Sequence, residues 1–177
     1  MGYLIFLRHG PKQYKNNHNP PNYPAHDSPL VWGTEKDIKI KLDYIRENFG
    51  APEKIVSSPY KRARDTARYF GGKDDKIYYE KQIGEYLGWQ KPIGSKPDVF
   101  PETAELISDK LGTETLKQAR TRIIDYYKKV DDKYDTLFIT HGILISYLYN
   151  FLTNTYHDFG NLKGFIITDN REIKMIN

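Results

Sequence analysis

Short, unbroken apolar runs alternate with amphipathic stretches along most of this chain, and the two patterns ask for different elements. Residues 3–7 are continuously apolar and few, which predicts a strand covered on both faces. The segment 11–30 that follows is rich in Asn and Pro and predicts an irregular loop. A helix is predicted from Thr34, with Asp37 three residues on. Ile38, Leu42, Ile45 and Phe49 fall on its one apolar face, and Gly50-Ala51-Pro52 ends it. "KIVSS" (54–58) reads as a second strand. Ser58-Pro59 then has the form of an N-cap with proline in the first turn, opening a helix over 60–70 that Gly71-Gly72 closes.

Further along, "KIYYEK" (76–81) predicts a third strand and 82–97 a loop. Helices are predicted over 102–111 and 115–130; in the second, Leu116, Ala119, Ile123, Tyr126 and Val130 keep helical spacing. "DTLFIT" (135–140) is a fourth strand, running into the apolar helix "HGILISYLYNFL" (141–152). Residues 164–176 predict two strands joined by a turn at Asp169-Asn170-Arg171. Strands alternating with helices place the chain in the α/β class. The expected architecture is a three-layer α/β/α sandwich with a mostly parallel central sheet.

Composition narrows the class without naming a chemistry. Of 177 residues, 38% are hydrophobic and 28% charged, too apolar for disorder and enough for one core, so residues 1–177 are expected to form a single domain. The absence of cysteine removes disulfides, thiol nucleophiles and cysteine-held zinc. A net charge of +4 and a pI near 9.0 favour anionic ligands but do not require nucleic acid. The apolar run at 3–7 is short and lacks the basic leader of a secretion signal, and Phe6 stands where a myristoylation motif needs Ser or Thr. No apolar stretch approaches the roughly 20 residues that span a bilayer. A cytoplasmic protein without membrane contact is expected.

Candidate chemistry sits where strands end. Arg8-His9-Gly10 closes the first strand and Thr140-His141-Gly142 the fourth. In an open parallel sheet, ligands gather beyond the carboxyl ends of the strands, so neighbouring strands would deliver both histidines to one crevice. Glycine after each histidine permits a sharp turn and keeps a side chain out of a ligand's way. The helix after "KIVSS" adds backbone N–H groups and, one turn in, Arg62. Two histidines and two arginines suit a phosphoryl dianion: guanidinium forks hold its oxygens and a neutral imidazole attacks phosphorus. The leaving oxygen needs a proton, and Glu85, beyond the third strand, is the leading candidate donor, with Glu80, Glu102 and Glu114 as alternatives.

"LRHG", "SSPYKRARDTA", the glutamate of "IGEYLGW" and "ITHG", in this order, resemble the histidine phosphatase superfamily, also called phosphoglycerate mutase-like. "HDSPLVWGTEKD" and "GTETLKQARTRI" resemble two further family segments, and the likeness spans nearly the whole chain. It implies the phosphoglycerate mutase-like fold and a phosphatase acting on phosphomonoesters through a covalent phosphohistidine on His9. Arg8, Arg62 and His141 would form the phosphate pocket and Glu85 would be the proton donor, with no metal or cofactor. The chain departs from the family at Pro11-Lys12, where Glu-Thr or Glu-Ser is common; Lys12 is expected to join Gly10 as a substrate contact.

Substrates are expected among phosphorylated small molecules or phosphoproteins, with nucleic acid only as a phosphorylated substrate. A phosphomutase and a non-catalytic phosphate-binding module are the alternatives; the compact region after the acidic loop favours hydrolysis. A metal-dependent hydrolase would need carboxylate clusters and histidine spacing that the chain lacks. His18, His26 and His157 are expected at the surface or rim, and Tyr14, Tyr86 and Trp89 at the mouth or packed beneath loops.

Overall fold

The first strand, β1 (Leu4–Arg8), lies inside a six-stranded sheet and is hydrogen-bonded on both sides. The structure, a computed structural model, describes residues 2–13, 28–71, 77–86 and 115–177. The helix predicted at 102–111 and most of the loop at 11–30 lie outside them. After β1 come α1 (Glu35–Phe49), β2 (Lys54–Ser57), α2 (Lys61–Gly71), β3 (Ile77–Tyr79) and a single 3-10 turn (Lys81–Ile83). They are followed by α3 (Leu116–Tyr127), β4 (Thr136–Thr140), α4 (Gly142–Thr153), β5 (Gly164–Ile167) and β6 (Ile173–Ile176). The sheet order is β3-β2-β4-β1-β5-β6. The first four strands are mutually parallel, and β5 runs antiparallel to both its neighbours. The expected mostly parallel sheet is therefore present, with the C-terminal hairpin as its exception.

Alternation inside the apolar runs builds the three layers. Ile5 and Leu7 face one side with Ile55, Leu137, Ile139 and Ile166, against Ile38, Leu42 and Ile45 of α1 and Ala63, Ala67 and Phe70 of α2. Leu4 and Phe6 face the other side with Val56, Phe138 and Phe165, under Ala119 and Ile123 of α3 and Leu144, Ile145 and Leu148 of α4. Phe6 stacks between Phe138, at 4.5 Å between ring centres, and Phe165, at 5.4 Å. Full burial of one such side chain stabilises by about 1.5–3 kcal/mol. At Gly164 a β-carbon would stand 1.9 Å from the carbonyl oxygen of Phe6, so only glycine lets β5 pair there with β1.

Several boundaries differ from the sequence reading, for local reasons. The Thr34 hydroxyl donates to the Val31 carbonyl at 2.6 Å and does not cap α1. Helix α2 starts at Lys61, later than Ser58-Pro59 predicts; the Ser58 hydroxyl still accepts the Tyr60 amide at 3.3 Å, but residues 59–60 form a bend. Thr115 opens α3 with a reciprocal cap: its hydroxyl accepts the Gln118 amide at 3.2 Å while the Gln118 side chain accepts the Thr115 amide at 2.7 Å. That helix ends at Tyr127, short of Val130.

The parallel strands finish level with one another. The His9 amide donates to Thr140 O at 3.0 Å, the Ser58 amide to Ile139 O at 2.9 Å and the Glu80 amide to Ser57 O at 2.9 Å. The loops leaving β1, β2, β3 and β4 are thus tied together at one edge of the sheet, where a parallel α/β fold builds its sites. Among the described residues, no helix is long and apolar enough to cross a membrane.

Candidate active site

Arg62 stands at the centre of this edge, 2% exposed, as the second residue of α2 and not one turn in, because the helix starts later than the sequence predicts. Its Nε donates to His9 Nε2 at 3.1 Å and its Nη2 to Glu85 Oε2 at 3.0 Å, and Nη2 lies 3.4 Å from His141 Nδ1. His141 Nδ1 is also 3.1 Å from Glu85 Oε2. The Tyr60 ring lies beneath the guanidinium at 5.0 Å and edge-on to His141 at 5.3 Å. Burying a cation this deeply is costly unless its donors are engaged, and here the His9 imidazole and the Glu85 carboxylate engage them.

The two imidazoles are held differently. His9 Nδ1 lies 2.5 Å from the carbonyl oxygen of Gly10, which can only accept, so the proton is on Nδ1 and the lone pair on Nε2 faces Arg62. Burial, then the charges of Arg62 and His141, hold the His9 pKa well below its ordinary value. A neutral imidazole whose Nε2 electron pair accepts the Arg62 Nε–H is the result. His141 has both nitrogens committed, Nδ1 toward Glu85 and Nε2 to the Ser58 hydroxyl at 2.7 Å. Its pKa is lowered to about 4: burial dominates, the Glu85 carboxylate opposes, and Arg62 and Arg122 reinforce. Burial pushes Glu85 up, but the charge and hydrogen bond of His141 and the charge of Arg62 prevail, leaving its pKa well below the carboxylate range.

The remaining sequence candidates surround this cluster. Arg8 has no direct bond to its four members among the described residues. Its Nη1 donates to Phe159 O at 2.6 Å, and its guanidinium lies against Gly142, where a β-carbon would come within 3.1–3.3 Å of it. The Arg8 Nε is buried without a hydrogen-bond partner. Lys12 pairs with Leu30 in an isolated antiparallel bridge. Burial lowers its pKa, as do Arg62 and, more weakly, Arg8, while Glu85 opposes, so its ammonium shares the field of the cluster. The Gly10 amide goes to Thr66 Oγ1 at 3.0 Å, and its Cα abuts Leu30 and Thr34. Of the alternative acids, Glu80 accepts the Gln82 amide at 2.8 Å on the 3-10 turn; Glu102 and Glu114 lie outside the described residues. His157 is exposed and meets the Phe159 ring edge-on at 4.7 Å; His18, His26, Tyr14 and Trp89 lie outside the described residues.

Three participants escaped the sequence reading. Ser58 reads there only as a helix cap, yet its hydroxyl also fixes His141. Thr66, one turn beyond Arg62, donates to Arg62 O at 2.7 Å and receives the Gly10 amide, locking α2 to the His9 loop. Arg122 of α3 reaches the turn that carries Glu85. The first two were detectable as polar residues at buried positions of an amphipathic segment, whereas Arg122 lay inside the segment "GTETLKQARTRI" that carries part of the family likeness, with no role read for it.

His9, Glu85 and His141 bring one ligand atom each within 4.8 Å of one another, the spacing of a three-ligand metal set. The Arg62 guanidinium lies against all three, so an incoming cation would meet a like charge and compete with it for their electron pairs. An anion meets the opposite situation: a fork of N–H donors, two buried imidazoles and further cations at Arg8 and Lys12.

Comparison with known proteins bears on the family and the fold. A sequence model of the histidine phosphatase superfamily (branch 1) matches residues 4–176. No curated protein matches the sequence closely enough to count as a relative. Among solved structures, ecdysone phosphate phosphatase from Bombix mori, in complex with tungstate, is similar at 14% identity and a TM-score of 0.65, over 100% of this chain and 92% of that one. Phosphoserine phosphatase from Entamoeba histolytica, in complex with 3-phosphoglyceric acid, is similar at 16% identity and a TM-score of 0.64, over 100% and 96%. Mycobacterial glucosyl-3-phosphoglycerate phosphatase is similar at 18% identity and a TM-score of 0.60, over 93% and 89%. At these identities the likeness establishes the shared fold.

Proposed function

The chain belongs to the histidine phosphatase superfamily, branch 1, and from that premise we propose that it is a phosphatase of phosphomonoesters working through a phosphohistidine on His9. One observation carries the reading: a buried arginine fork whose N–H groups point at a neutral histidine lone pair and at the proton-bearing partners of a transfer. A phosphoryl group entering there offers its oxygens to Arg62 in place of His9 and Glu85, and its phosphorus meets His9 Nε2. Arg8 and Lys12 complete the positive surround, which matches charge spread over the equatorial oxygens in the transition state, and the His141 imidazole lines the same space.

In the first step the Nε2 lone pair forms the N–P bond, the ester P–O bond breaks, and Glu85, protonated from solvent or from the substrate monoanion as the ester binds, gives that proton to the leaving oxygen. Glu85 is ionised at neutral pH before substrate arrives, because His141 and Arg62 hold its pKa down. A bound phosphoryl anion adds negative charge beside it and takes over the Arg62 donors, and both changes raise that pKa toward a donor's range. In the second step Glu85 takes a proton from water, the water oxygen attacks phosphorus, the N–P bond breaks, and inorganic phosphate leaves with His9 restored. Substrates are phosphorylated small molecules or phosphoproteins.

The test uses purified protein with 4-nitrophenyl phosphate, phosphoserine and 3-phosphoglycerate in the presence of EDTA. Phosphate release, with an acid-labile and alkali-stable phosphoenzyme trapped by rapid quenching, is the expected result. A His9→Ala protein should show neither. Activity that disappears with the chelator would overturn the anion-site reading, and silence toward all three esters would leave a binding module as the better description.

A further inference from the structure

Glu85 has no regular element of its own. It stands just beyond the one-turn Lys81–Ile83 helix, after the three-residue strand β3. A proton donor works only when held close to the oxygen it serves, so something outside this short segment must place it.

The placement is visible in the carbonyls. Arg122 of α3 donates from Nη1 to Gln82 O and, at 3.2 Å, to Gly84 O, with Lys81 O at the limit of 3.5 Å; its Nη2 donates to Gly84 O at 3.2 Å. The carbonyl they skip, Ile83 O, accepts the Thr140 hydroxyl at 2.6 Å. Four consecutive carbonyls, 81 to 84, are thus taken by two side chains from separate elements. Thr140 is fully buried at the end of β4, one residue before His141, so the same strand end fixes both the histidine and the turn. Arg122 stands on a helix seated by the buried Ala119 and Ile123 and stiffened at its start by the Thr115–Gln118 cap. A planar fork of five donors can serve several carbonyls at once, whereas a lysine ammonium is a single point.

We propose that Arg122, with Thr140 beside it, is the positioning residue for the proton donor: it acts on the reaction through the location of Glu85. The inference rests on Glu85 acting as the acid, as read above. Its consequence is selective. Misplacing the acid harms esters whose leaving group needs a proton and spares those whose leaving group departs as a stable anion, whereas a general loosening of the fold harms both.

Full-length wild type, Glu85→Gln, Arg122→Lys and Thr140→Val would be compared by kcat/KM on phenyl phosphate and on 2,4-dinitrophenyl phosphate. Glu85→Gln should lose about 100-fold on the phenyl ester and little on the dinitrophenyl ester. Arg122→Lys, which keeps the charge but not the fork, should lose about tenfold on the first and less than about threefold on the second. Thr140→Val should show the same selectivity, and it serves as the test if Arg122→Lys does not fold. An equal loss on both esters, or none, in these two variants overturns the inference and leaves the role of Glu85 standing. A Glu85→Gln protein without leaving-group selectivity overturns the acid assignment, and the inference with it.

Discussion

His9 and His141 end neighbouring parallel strands, each is followed by glycine, and their rings lie 5.0 Å apart, but their nitrogens are committed differently. His9 is tied at Nδ1 by a carbonyl of its own loop, and its Nε2 lone pair accepts the Arg62 Nε–H at 3.1 Å. His141 is tied at both, to Ser58 and to Glu85, and it sits as the N-terminal cap residue of α4. The glycines differ as well. Gly10 packs against Leu30 and Thr34, while Gly142 opens the space in which the Arg8 guanidinium lies. Two similar tripeptides therefore leave their imidazoles in different company, His9 with a carbonyl and a guanidinium and His141 with a hydroxyl and a carboxylate, and on the proposed reading those neighbours decide which one attacks.

The sharpest way to break this comparison is to remove each imidazole in turn. His9→Ala should lower phosphomonoester hydrolysis by more than about 1,000-fold, because it deletes the attacking atom. His141→Ala should cost about 100-fold, the scale of losing one preorganised group around the transferring phosphoryl. Rapid-quench trapping separates the two: a phosphoenzyme should still form in His141→Ala and be missing in His9→Ala. An adduct trapped in the His9→Ala protein would reverse the assignment.

The chain carried the outline of this site openly. Strand-ending histidines, a Ser-Pro corner and a following arginine are local patterns, so α/β layering and the meeting of residues 9, 62 and 141 were readable from 3.6- and 2-residue periods and turn chemistry. Glu85 was legible only as one of four glutamates, because a loop has no period to fix its direction. Arg122 was illegible for a different reason. Its value lies in carbonyl acceptors some forty residues away, and a helical arginine beside a loop has no pattern that distinguishes it from a solvated one. The division of labour between His9 and His141 was hidden likewise, since it depends on Ser58 and on the Gly10 carbonyl.

A second contrast lies in protonation. The His141 pKa falls from 6.5 to about 4 in the folded chain. As pH drops below about 6.5 the unfolded chain gains a proton that the folded one refuses, so stability is full above that pH and declines below it. Between pH 7 and pH 5 this histidine alone removes about 2 kcal/mol. His9, lowered for the same first reason of burial, adds to the loss in the same direction. His141→Gln abolishes that titration, so its melting temperature should fall by about 4–8 °C less than wild type over the same interval at constant ionic strength. Parallel declines in the two proteins would show that His141 is not the refused proton.

The smallest effects should come from the glycines, and they sharpen the comparison most finely. A methyl group at position 142 meets the Nη1, Cζ and Nε of Arg8 at 3.1–3.3 Å, tighter than comfortable contact but against the movable end of a side chain. Arg8 can yield by a few tenths of an ångström, at the expense of its place beside the proposed phosphoryl site. Gly142→Ala should therefore raise KM for a phosphomonoester about threefold with stability unchanged, since alanine suits a helix start no worse than glycine. A methyl group at position 10 meets Leu30 Cδ2 at 3.0 Å and Thr34 Cγ2 at 3.1 Å, which are packed side chains with less room to retreat. Gly10→Ala should cost about 1 kcal/mol of stability by overpacking, read in urea unfolding, with KM less affected than in Gly142→Ala. The crossed outcome, a stability loss at 142 and a KM change at 10, would mean that the two corners divide packing and substrate holding in the opposite sense.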